Sequence, residues 1–310
     1  MTHQRLAGRD VALLVAVAVI WGFNFVPIRW ALDVVPPFAL AATRFFFAAV
    51  PMIFFVPRPK IPLRWIALYG LLIGVGQFGL LFLSIQLGLA AGLASLLAQL
   101  QVFATIGLSA LFLHDRTTFG QLAGATVAGV GIALLVVDKL AGGATGSLLS
   151  LVLILASAGL WAVANVVAKH IGREYEPGGF SLVVWSSLFS PLPLAAISFV
   201  GEGGTAGLAS VLTTGPLVWA SIAFIVIAAT LFGFAIWNRM LQRYTAATVT
   251  PFALIVPVAG LASAFVLLQE TLSWLEIGGG ALILLGLAVA VVRKPAALAL
   301  FPRTADADSP

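Results

Sequence analysis

The chain has 310 residues, of which 61% are hydrophobic and only 9% charged, and its mean hydropathy is +1.12. A water-soluble domain carries about 25% charged residues and 45–50% apolar ones, so this chain lacks the polar surface to face water on all sides. Thirty-one Gly and sixteen Pro scattered through apolar sequence are ordinary in membrane helices. The absence of Cys excludes a disulfide framework and thiolate metal sites. A net charge of +5 and a pI near 10.1 would suit nucleic acid, but the positions of the charges explain the excess differently.

Uncharged runs can be measured against the ~20 residues that a helix needs to cross a bilayer. They predict ten helices, at 10–30, 37–57, 65–86, 90–113, 118–138, 147–169, 179–200, 216–238, 246–268 and 275–293. The first lacks a small-residue cleavage site and opens into more membrane sequence, so it reads as a crossing and not as a signal peptide. The second is interrupted by Arg44 alone. Residues 65–113 contain no Asp, Glu, Lys or Arg, which suits two crossings, with the small residues at 88–92 as the reversal. Transmembrane strands would alternate polar and apolar with a period of two, and these runs do not.

Short loops that are rich in Lys and Arg face the cytoplasm. With the N-terminus inside, thirteen of the sixteen basic residues fall on inner segments, Arg5, Arg9, Arg58, Lys60, Arg64, Arg116, Arg293 and Lys294 among them. The outer ends hold only Arg29 and Lys139. This bias places both termini in the cytoplasm and turns the basic pI into a mark of topology, so no nucleic-acid partner is expected. Residues 1–9 are a cytoplasmic N-terminus. The tail, 294–310, with Asp306 and Asp308, is expected to be a disordered cytoplasmic end.

The two halves resemble each other. Trp21 with Arg29 eight residues later corresponds to Trp161 with Lys169 at the same distance. A constant offset of 155 pairs Asp115 with Glu270, Thr118 with Ser273, Gly124 with Gly279 and Gly131 with Gly286. An offset of 154 pairs Trp65, Phe78 and Gly79 with Trp219, Phe232 and Gly233. Each half, 10–138 and 147–293, holds five helices, an odd number, so the second must enter the membrane in the opposite direction. The expected fold is therefore an all-α membrane protein of two inverted five-helix repeats around a central cavity. In that arrangement substrate sits near the midplane and access alternates between the two sides.

The residues also carry a family resemblance. Trp21-Gly22-x-Asn24-Phe25, Arg44-Phe45, Ala91-Gly92-Leu93-Ala94-Ser95 and Asp115 with Gln121-x-x-Gly124 recur in part as Pro257-Val258-x-Gly260-Leu261 and Glu270-x-Leu272. Over residues 10–293 this pattern resembles the drug/metabolite transporter superfamily, and within it the EamA-type exporters of amino-acid metabolites such as O-acetylserine and cysteine. Asp115 stands where Glu is more common. The resemblance implies a carrier in the bacterial inner membrane that exports cysteine, O-acetylserine or related amino acids, with threonine, methionine and aromatic amino-acid exporters as close relatives. Efflux of drugs or nucleotide-type metabolites is the alternative within transport, and an integral-membrane enzyme the alternative from another class.

Other motifs exclude chemistry. Gly74-Val75-Gly76-Gln77-Phe78-Gly79 matches a dinucleotide fingerprint, but it lies mid-crossing and not between a strand and a helix, so it reads as a smooth face for helix contact. No P-loop is present, so the chain does not hydrolyse ATP by itself and implies no ATPase subunit. His3, His114 and His170 lie at ends or in loops, which leaves no metal site, no cofactor and no enzyme chemistry to build on. A monomer or weak dimer in the lipid bilayer is expected.

Polar groups at mid-depth are costly unless they face the protein interior. Trp21 and Asn24 share a helix face, as do Trp161 and Asn165, and Gln77, Gln99, Gln101 and Thr230 lie at similar depth. Gln99 and Gln101 are about 200° apart around a helix, so only one of them is expected to face a cavity. With Phe78, Phe234 and Trp237 these residues offer the mixture a zwitterionic amino acid requires: a few polar groups in an apolar wall. The competing reading is that the amides only bond helix to helix.

Arg44 either binds a substrate carboxylate or reaches backbone carbonyls near the outer surface. Its depth of ~10 Å favours the second reading. Pro27, Pro51, Pro191, Pro193, Pro251 and Pro257 interrupt helical bonding, and Pro251 with Pro257 makes the ninth helix a hinge candidate. All eleven acids fall at span ends, in loops or in the tail, so efflux is expected to run down a concentration gradient, or to be coupled through a group at a span end.

Overall fold

The computed structural model describes residues 7–113, 117–142, 145–175, 178–244 and 246–291. The readings made on residues 1–6, on His114, Asp115, Arg116 and Arg293, and on the tail 294–310 fall outside these. Among the described residues ten helices are long and apolar enough to cross a membrane: α1 (Gly8–Leu32), α2 (Pro37–Phe54), α3 (Leu63–Gln86), α4 (Ala91–Phe112), α5 (Phe119–Leu140), α6 (Leu148–Tyr175), α7 (Gly179–Gly201), α8 (Pro216–Met240), α9 (Thr250–Leu268) and α10 (Trp274–Val291). Helices satisfy their backbone groups internally, as lipid requires. The chain is a multi-pass membrane protein. Between α3 and α4 the reversal uses Gly88 at φ 94°, a left-handed conformation that costs glycine little.

Departures from regular helix follow the prolines. α1 breaks at Asn24, three residues before Pro27, which has no N–H to return to Phe23. The α2 helix gives way to a 3₁₀ turn, Met52–Phe54, just after Pro51, and α7 restarts at Pro191 after a turn at 188–190. The start of α9 is a 3₁₀ segment, Thr250–Leu254, and Pro257 lies in the α-helical run, Ile255–Leu268, that follows. Three further irregularities carry no proline, the first being a 3₁₀ turn at Ala98–Leu100 in α4. Leu71–Phe78 in α3 and Phe224–Phe232 in α8 are π-helical, and at the offset of 154 these are the same stretch of each half.

Small residues decide which helices touch. On α5, Gly124 meets the backbone of Gly286 on α10, and Gly131 meets that of Gly279; a β-carbon at any of the four would overlap the facing chain. Since Gly124 corresponds to Gly279 and Gly131 to Gly286, the contact is reciprocal, as a two-fold axis between antiparallel helices produces. Gly22 on α1 packs against Val256 and Gly260 of α9, and Gly260 in turn against Ser95 of α4. The fingerprint-like glycines behave as packing surface: Gly70 and Gly74 of α3 seat against Ser186 and Ser190 of α7, where the Ser190 hydroxyl donates to the Gly70 carbonyl at 3.0 Å.

One end of the bundle, here the N face, holds the start of α1; the opposite end is the far face. On the N face Asp10 accepts from the Tyr244 hydroxyl at 2.6 Å and pairs with Arg243. On the far face two carboxylates cap helices of the first half. Glu202 accepts from the Phe38 and Ala39 amides that begin α2, and Glu270 from the Ala91 and Gly92 amides that begin α4. Anions are favoured at helix N-termini by the unpaired amides and the helix dipole. Lys139, at the end of α5, is buried and pairs with Asp138 and Glu276, where Glu276 also completes a capping box with Ser273. The N-face counterpart, Thr118 with Gln121, is a capping box without the charge. Arg29 donates to the Ile85 carbonyl that ends α3 and pairs with Asp33, four residues on.

Candidate functional site

A cavity lies between α2, α3, α7 and α8, lined by Arg44, Phe45, Tyr69, Gly70, Ile73, Phe78, Val183, Ser186, Ser187, Thr230 and Phe234. Its volume is about 20 Å³, room for a single water molecule. Both π-helical stretches contribute to the wall. A π-turn leaves backbone carbonyls and side chains out of α-helical register, which is why such turns recur at functional sites. The Thr230 hydroxyl donates to the Ile225 carbonyl, five residues back, at 2.8 Å.

Arg44 is the charge in this wall, and its position corrects the expectation from depth. It does not reach the surface: it is 3% exposed, its Nη2 donates to Thr230 Oγ1 at 3.1 Å, and its guanidinium carbon stands 3.7 Å from the centroid of the Phe78 ring. Depth along one helix predicts reach only if the side chain faces lipid. Arg44 faces the bundle, because Phe46 and Phe47, which follow it within a turn, are exposed and leave its own side of α2 turned inward.

Of the predicted site residues, Phe78, Thr230 and Phe234 line the cavity. Trp21 adjoins it: its ring packs against Phe234 and Trp237, with centroids 5.3 and 5.2 Å away, and its Nε1 donates to the Ala229 carbonyl of the π-helical stretch at 2.8 Å. Asn24 is 6% exposed at the break in α1, and its Oδ1 has no hydrogen-bond partner. Gln77 and Gln99 are buried, and the Gln77 carbonyl accepts from Ser157 of α6. Gln101 and Asn165 do meet, though not in the cavity: Asn165 Nδ2 donates to Gln101 Oε1 at 2.6 Å and to Thr105 Oγ1 at 3.1 Å, tying α6 to α4. Trp161 packs against the main core. Pro251 and Pro257 flank the change from 3₁₀ to α-helix in α9.

Sequence reasoning missed Tyr69, Ser186 and Ser187. The signal available was weak: small polar residues within a crossing are common where helices pack. Trp185 and Ser181, beside them on α7, donate to the carbonyls of Val56 and Pro57 at the end of α2, which holds α7 against α2 on the N face. A second, open hollow on the far face, about 460 Å³, is lined by Arg29, Trp30, Asp33, Gly88 and Glu270 among others.

Comparison with known proteins agrees with this layout. The sequence profile of the EamA-like transporter family matches twice, over residues 9–137 and 148–292. The chain is 41% identical over 287 residues to a probable amino-acid metabolite efflux pump of Salmonella typhimurium, covering 92% of this chain and 96% of that protein. It is 40% identical, with the same coverage, to a protein of the same description from Escherichia coli. A crystal structure 20% identical in sequence superposes with a TM-score of 0.60, covering 92% of this chain and 97% of that one, and shares the fold. With both halves matched and relatives aligned along nearly their whole length, the chain belongs to the EamA-like transporter family, within the drug/metabolite transporter superfamily.

Proposed function

We propose that this protein is a carrier of the inner membrane that exports amino acids or their metabolites by alternating access, with both termini in the cytoplasm. The observation that carries the reading is the cavity between α2 and α3 of one half and α7 and α8 of the other. It combines one cation, four hydroxyl side chains and aromatic rings in an otherwise apolar wall, a mixture suited to a small zwitterion. The description of the two efflux-pump relatives supports the same substrate class. A room the size of one water is too small for any amino acid, so cargo enters only when helices of the two halves separate. Reciprocal packing of α5 on α10 supplies a pivot about which they can do so.

No Asp, Glu or His among the described residues lines the cavity, and efflux is therefore read as driven by the substrate gradient. The drug-efflux reading fits less well, since bulky cations would meet Arg44. An enzyme reading lacks an acid–base pair in the wall.

The test is transport by purified protein in liposomes, with cysteine, O-acetylserine, threonine, methionine and phenylalanine as the panel. We expect flux of at least one, accelerated by substrate on the opposite side and unchanged by a pH gradient imposed at zero membrane potential. Flux of none would remove the function, flux without acceleration would indicate a pore, and steep dependence on the pH gradient would remove the uncoupled mechanism.

A further inference from the structure

We propose that Arg44 selects the cargo by pairing its buried guanidinium with a carboxylate, so that a carboxylate defines a substrate and an amino group does not. This rests on the cavity being the substrate site.

The first observation is unspent charge. Arg44 donates from Nη2 to Thr230, while Nε and Nη1 are buried with no acceptor. Among the described residues no carboxylate lies within ion-pair distance of it. A buried cation without a counter-ion is strongly unfavourable, and the face of Phe78 compensates only in part. An anion entering the cavity would relieve both deficits, since guanidinium N–H groups match carboxylate geometry.

The second observation is that the aliphatic hydroxyls beside Arg44 already have acceptors for their protons. The Thr230 hydroxyl donates to the Ile225 carbonyl, and those of Ser186 and Ser187 donate to the Val183 carbonyl. That leaves the Tyr69 hydroxyl and Arg44 to donate to a ligand, and of the two only Arg44 carries a charge. No acid among the described residues lines the cavity, so a substrate ammonium meets no carboxylate there. One cation also matches one carboxylate better than a doubly charged phosphate.

A kinetic consequence follows. With room for one water, the closed state of the empty carrier seals an unpaired cation away from both faces, whereas the loaded closed state seals an ion pair. The empty carrier therefore crosses this state more slowly than the loaded one, and exchange outpaces net efflux.

The test uses the wild-type protein in liposomes and whichever panel member it moves. For phenylalanine the competitors are 3-phenylpropionate and 2-phenylethylamine; for cysteine they are 3-mercaptopropionate and cysteamine; other members take the equivalent pair. We expect the acid to compete within tenfold of the parent and the amine at least a hundredfold more weakly. Arg44→Gln should lower exchange at least tenfold and bring the ratio of exchange to net efflux towards one, with Arg44→Lys in between. An amine that competes as well as the acid overturns the proposal, as does Arg44→Gln that is made in normal yield and keeps its exchange rate. The competition arm needs no variant, so misfolding of Arg44→Gln leaves the question decidable. If the wild type moves no panel member, the export reading fails and this inference with it; if it moves one with amine selectivity, this inference alone fails.

Discussion

Amides inside a membrane protein hold helices together or hold cargo, and Asn165 is placed to separate the two roles. It joins α6 to α4 through Gln101 and Thr105, away from the cavity that Arg44 faces. Interhelical hydrogen bonds of this kind contribute ~0.6 kcal/mol on average and ~1.7 at most. Asn165→Ala is therefore expected to lower unfolding stability by about that amount while transport stays within twofold; a tenfold loss of transport at unchanged stability would place the amide in the cargo path instead. Trp21 differs, because its ring touches Phe234 of the cavity wall. Trp21→Phe keeps one aromatic ring and removes the bond to the Ala229 carbonyl, at a cost of ~1 kcal/mol for that bond, whereas Trp21→Ala opens the wall and should reduce transport at least tenfold. Helical periodicity shows that Gln99 and Gln101 point apart. Which of them meets Asn165 depends on how α4 is rotated against α6, and that rotation is set by packing across the bundle.

At the scale of elements, the glycines of α5 and α10 give the sharpest contrast. A side chain at Gly124, Gly131, Gly279 or Gly286 collides with the opposite backbone, whereas one at Gly129 meets nothing within 4 Å. Overpacking of a close interface costs ~1–3 kcal/mol or more. Gly124→Val and Gly286→Val should each lower the yield of folded protein and its melting temperature in detergent, and Gly129→Val should leave both unchanged; equal effects at all three would refute the reciprocal interface. The offset of 155 made these glycines visible as a repeated pattern, but the partner of each came from the antiparallel contact itself. The π-helical stretches left no comparable trace, because an i→i+5 register changes which backbone groups pair and not which residue types are favoured.

For the whole molecule, orientation and gating are open to thiol chemistry, since the chain contains no Cys. Lys60 on the N face and Thr213 on the far face are both exposed. In intact cells a membrane-impermeant maleimide is expected to label Thr213→Cys and to reach Lys60→Cys only after permeabilisation; the reverse pattern would invert the topology. Glu202 and Glu270 tie the second half to the starts of α2 and α4 on the far face. A carboxylate at a helix N-terminus contributes ~0.3–1 kcal/mol, so Glu270→Gln should raise labelling of a buried Ala90→Cys by ~2–5-fold, the population shift of that energy. Unchanged labelling would mean that the cap does not restrain the far face.

Charge scarcity settled the number of the helices in advance, because each crossing must exclude charge over a length fixed by the bilayer, but not every end, since α6 continues through Lys169 and Arg173 to Tyr175. Prolines and repeated glycines marked the breaks and close contacts for equally local reasons. The role of the charge far from either end of its crossing was a different matter. Arg44 reads from sequence as a residue seven positions from a helix end, within reach of the surface. Only the packing of α2 against α3, α7 and α8 turned it inward, since the direction of a side chain around its helix is decided by which face the neighbouring helices bury.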